Sequence, residues 1–133
     1  MNTALIQWFS NKQDTIETSV FGAEFVATKI VMETLWGIRY KLRMMGVPTS
    51  GPLYIYGENM LVIHNTQSPE SNLKKKSNSI CYHAVREYIA MGESLTGHVE
   101  TNENYAALAT NVLYGGKRRF HVSNLLYYIY DDL

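Results

Sequence analysis

Two carboxylates, Glu24 and Glu58, stand where a divalent cation could be held. Over residues 15–58 the chain reads TIETSVFGAEFVATKIVMETLWGIRYKLRMMGVPTSGPLYIYGE: a strand running into a long helix that carries Glu24 near its start, a turn at Gly46-Val47-Pro48, and a short strand ending at Glu58. Carboxylates at corresponding ends of two neighbouring elements are the donor type that Mg²⁺ takes, as an enzyme acting on nucleic acid would use it. Lys74, Lys75 and Lys76 form the strongest charge run, and with Arg86 one helix away they are candidate phosphate contacts; the plainer reading is a solvated loop. Lys117-Arg118-Arg119 is a smaller basic cluster, read equally well as a polar helix start. His83 lies inside a helical pattern, where a packed or hydrogen-bonded histidine is the commoner case, and His64, His98 and His121 have no metal-site spacing. Cys81 and His83, two apart on a helix, point to different sides and make no nucleophile pair.

The elements that must position these groups follow from periodicity. Residues 3–9 (TALIQWF) read as a strand from their β-branched and aromatic content. Thr18 or Ser19 can cap a helix over about 20–45, roughly 39 Å long. Val31, Leu35, Ile38, Leu42 and Met45 form its apolar stripe, which extends back through Thr28 to Glu24; Phe21, Phe25 and Met32 widen the arc, and Arg39 falls outside it. Gly46 suits a left-handed helix stop. Residues 52–57 form a strand, 59–65 a short helix or turn, and 78–91 a helix with Ile80, Ala84, Tyr88 and Met91 on one face, ended by Gly92. Residues 94–99 read as a strand with Leu95, Gly97 and Val99 on one side. Residues 104–112 make a short helix or loop, and 117–129 a closing helix with Phe120, Leu125, Leu126 and Ile129 as its core. Strand, helix and returning strand indicate an α/β layer arrangement.

Composition narrows the class. A chain of 133 residues, 46% apolar, reads as a single globular domain over 1–133. Twelve basic residues balance twelve acidic ones, which excludes a global electrostatic funnel for nucleic acid. The one cysteine excludes an internal disulfide or a multi-cysteine zinc site and suits a reducing, intracellular setting, cytoplasm or nucleus. No apolar run is long enough for a membrane span, and the first residues do not read as a secretion signal.

The ordered stretches KQDTIETS…AEF, LYIYGEN, LKKKSNSICYHAVRE and GHVETNENYAALATNVL resemble the ribonuclease H domain that ends copia-type retrotransposon polyproteins, from about residue 4 to residue 120. The resemblance implies a five-stranded mixed sheet flanked by helices, here lacking its first two strands. It also implies an enzyme that cuts the RNA strand of an RNA–DNA hybrid, with four carboxylates holding two Mg²⁺ ions. The family's second carboxylate matches Glu24 in Ala23-Glu24-Phe25, and its third, an aspartate followed by asparagine, matches Glu58-Asn59. The fourth falls on Ala107, the basic residue that closes that motif falls on Asn111, and the first lies on an absent strand. Glu24 and Glu58 are therefore vestigial catalytic and metal positions, and Mg²⁺ binding is expected to be weak or absent. The resemblance thus implies a degenerate, catalytically inactive domain, a domesticated transposon pseudoenzyme with residual nucleic-acid or protein binding. One alternative is an active endonuclease whose ligands are completed by another chain. A second is a non-enzymatic interaction module that uses exposed sheet edges. Without the family's central first strand, TALIQWF and PLYIYG must pair directly, recruit another strand or leave edges open, so a homodimer through open strand edges is expected.

Overall fold

Helix α1 (Val20–Met44) begins where Ser19, in an extended conformation, accepts a 3.2 Å hydrogen bond from the Gly22 amide. It ends in a Schellman motif: Gly46 adopts φ 77°, its amide donates to the Arg43 carbonyl, and the Val47 amide donates to the Leu42 carbonyl. The computed structural model describes residues 5–8, 10, 19–68, 79–110 and 112–126. They fall into two compact units, one spanning Thr15–Val99 and the other Met1–Asp14 with Glu100–Leu133.

In the Thr15–Val99 unit, α1 is followed by β1 (Leu53–Gly57), α2 (Met60–Gln67), α3 (Ser79–Ala90) and β2 (Ser94–His98). The strands pair in parallel, with Leu53 opposite Ser94 and Gly57 opposite His98, and α2 and α3 lie in the connection between them. PLYIYG therefore pairs with SLTGH. Residues 5–8 of the expected first strand have no regular secondary structure, and Leu5, Ile6 and Trp8 are exposed. Phe25, Met32, Ile55, Val62, Tyr82 and Val85 form the core, drawn from α1, β1, α2 and α3.

The helix boundaries agree with the periodicity, but the buried faces are rotated from it. On α1 the core line is Phe25, Met32 and Arg39, while Val31 and Met45 of the expected stripe are exposed, Met45 to 75%. The cause is aromatic packing: the Phe25 ring meets Tyr82 at 5.7 Å, and Trp36 meets Tyr88 at 5.2 Å, which turns the neighbouring line of α1 toward α3. On α3 the buried residues are Tyr82 and Val85, with Cys81, Tyr88 and Ile89 packed beside them, so Ile80 and Met91 face outward. On β2 the inward face is polar. Ser94 and Thr96 are buried and Leu95 is exposed. Thr66 on α2 donates to the Ile63 carbonyl at 2.7 Å, so its remaining contact, 2.8 Å to the Thr96 hydroxyl, has Thr96 as donor. Gln67 adds a 2.6 Å bond to the Thr96 carbonyl. These bonds satisfy hydroxyls that burial would otherwise penalise.

The second unit holds α4 (Ala107–Thr110) and α5 (Gly115–Leu126). The buried α5 side chain is His121, and Phe120 of the expected core face is exposed; Ile129 lies outside the described residues. His121 sits edge-on to the Tyr105 ring at 5.4 Å and to Phe120 at 5.6 Å. Among the described residues, five helices and a two-stranded parallel sheet give a mixed α/β architecture, and no helix is long and apolar enough to cross a membrane.

Candidate functional site

Glu24 lies in the second turn of α1, half-buried beside the fully buried Phe25. Its backbone carbonyl accepts a 2.9 Å hydrogen bond from the Thr28 hydroxyl, which leaves the carboxylate uninvolved in that contact. Glu58 follows the last residue of β1 and is also half-buried. The next residue, Asn59, starts α2: its side-chain oxygen accepts from the Leu61 amide at 3.0 Å and the Val62 amide at 3.4 Å. This side-chain cap fixes the chain reversal immediately after Glu58. Both carboxylates belong to one unit, Glu24 on α1 and Glu58 immediately after β1, two elements that pack together.

Among the described residues, no group of three His, Cys, Asp or Glu side chains is placed to hold a metal ion. Ala107, at the start of α4 in the other unit, is 1% exposed and contributes only a methyl group. Asn104 shapes the turn before it, accepting from the Ala106 amide at 3.0 Å through its side chain and from the Ala107 amide through its carbonyl. Asn111 lies outside the described residues, as do Lys74, Lys75 and Lys76.

Arg86 is held within its own unit. Its guanidinium donates to the Tyr82 hydroxyl at 2.6 Å and the Ser68 carbonyl at 2.9 Å, and lies 5.0 Å from the Tyr82 ring centroid. The side chain thereby ties α3 to the end of α2, a packing role alongside any phosphate contact. Lys117 donates to Asn102 at 3.0 Å, while Arg118 and Arg119 are exposed. His83 is exposed, edge-on to Tyr82 at 5.3 Å, in place of the packed position its helical setting indicates. His64 and His98 are also exposed.

The polar groups that periodicity overlooks are the buried ones. Arg39 donates to the Glu93 carboxylate at 3.4 Å and to the Gly51 carbonyl, so it grips the residues just before both strands. No local pattern marks Arg39 as buried, because its acidic partner is distant in sequence. Trp36 Nε1, Arg39 Nε, Ser94 Oγ and both ring nitrogens of His121 have no hydrogen-bond partner among the described residues. On α1, Lys29 and Glu33 form a 2.8 Å ion pair. That hydrogen bond raises the Lys29 pKa above the ordinary lysine value, against a smaller opposing effect of desolvation.

No protein-family model matches the chain, and no solved structure matches it. The chain is 27% identical over 108 residues to the retrovirus-related Pol polyprotein from transposon RE2 of Arabidopsis thaliana. The match covers 81% of this chain, which spans 7% of the length of that polyprotein. The similarity supports a retrotransposon-derived protein.

Proposed function

We propose that this chain is a retrotransposon-derived ribonuclease H-like domain that has lost hydrolysis and retains weak binding to nucleic acid or to protein. Three features support the reading. They are the similarity to a transposon Pol polyprotein across most of the chain, the α/β arrangement with a parallel strand pair, and the position of Glu24 and Glu58 on packed neighbouring elements.

Ala107 carries the loss of activity. Where the resemblance implies a fourth aspartate, the chain has a buried methyl group with no donor atom. Glu58 stands in for an aspartate and is one methylene longer, which displaces its oxygens by about 1 Å; two ions held about 3.5–4 Å apart tolerate that poorly. Among the described residues no third donor converges, so those residues do not fit a two-metal centre, and no hydrolytic step is assigned to them. A hybrid bound without cleavage would be held chiefly through phosphates, with Lys74, Lys75, Lys76 and Arg86 as the proposed contacts.

A second copy is a proposed partner. Among the described residues each strand of the two-stranded sheet has one edge with no strand beside it, and β1 (LYIYG) has no charge to deter pairing. The single cysteine favours a reducing, intracellular setting for this binding.

The decisive experiment incubates the purified chain with a labelled RNA–DNA hybrid in Mg²⁺ or Mn²⁺, at low and high salt. The expected result is salt-sensitive retention of the hybrid and no cleavage. Metal-dependent cleavage abolished by Glu24→Ala or Glu58→Ala would overturn the inactive reading in favour of an enzyme completed by another chain. Absence of binding even at low salt, with a stable dimer in sedimentation, would favour an interaction module without a nucleic-acid role.

A further inference from the structure

We draw no further inference here: the strongest candidate, the exposed face of the β1–β2 pair carrying Tyr54, Tyr56 and Leu95, is an apolar surface for which nothing in the structure shows what covers it.

Discussion

The two units bury different kinds of side chain. In Thr15–Val99, four elements contribute apolar groups to one core, and Phe25, Met32 and Val85 are fully buried. In the other unit, the described side chains that reach full or near-full burial are Ala107, a single methyl group, and His121, a ring whose nitrogens find no partner among the described residues. Among its described residues, Trp8, Val112, Tyr114 and Phe120 are exposed. Burying apolar area supplies most of the folding free energy, so among the described residues this source of stability is concentrated in the Thr15–Val99 unit. Both carboxylates of the candidate site, Glu24 and Glu58, lie in the well-packed unit, and Ala107 lies in the other. On the proposed reading, the remnant of the site persists where packing holds its scaffold in shape.

That contrast can be broken most directly in the core. Phe25→Ala should cost about 3–5 kcal/mol in denaturant unfolding, through lost burial and the cavity left behind. Phe120→Ala, at a position 55% exposed, should cost less than about 1 kcal/mol. Equal costs would refute the contrast between the packing of these two described positions.

Arg39→Ala comes next, at about 2–3 kcal/mol. The side chain is buried, and its removal leaves the Glu93 carboxylate and the Gly51 carbonyl without their donor, though partial exposure of Glu93 moderates the loss. Glu93→Gln should cost less, and a double-mutant cycle would isolate the pair. Additive costs would show that the Glu93 contact contributes nothing and that Arg39 acts through packing and its bond to the Gly51 carbonyl.

His121→Phe probes the other unit. Replacing a buried ring that lacks hydrogen bonds with an apolar ring of similar shape should be neutral or stabilising by about 1 kcal/mol. Hydrogen exchange across Gly115–Leu126 would report it, and faster exchange in the variant would reveal a polar partner for the histidine.

The Lys29–Glu33 pair should have the smallest effect, below about 0.5 kcal/mol, because both side chains contact solvent. The raised Lys29 pKa sets the sign. The contribution is fully present below the unfolded lysine pKa and is lost as pH rises through the folded value, in the alkaline range. Alkaline titration of the Lys29→Gln variant against the parent chain would show it as a difference that vanishes at high pH.

These effects also mark what the sequence could convey. The bounds of α1 were legible because Ser19 and Gly46 act locally, through a cap and a left-handed turn. The helical face was not, because two adjacent apolar lines run along α1 and the choice between them depends on Tyr82 and Tyr88, far along the chain. The inward Ser94 and Thr96 were hidden for the same reason: Thr96 is satisfied by Thr66 on another element, while Leu95 suggests the opposite face. Glu24 and Glu58 could be assigned to neighbouring elements from the sequence, whereas the internal engagement of Arg86 required Tyr82 and Ser68 in place.

The parallel pairing of β1 with β2 has a consequence during synthesis. Helix α1 can form from contacts within its own turns, but the strand that pairs with β1 among the described residues, Ser94–His98, is made only after α2 and α3. At ordinary translation rates that interval is on the order of seconds. During it, an uncharged, tyrosine-rich strand is displayed on a nascent chain, so the moment of greatest risk of misassembly comes before the molecule is complete.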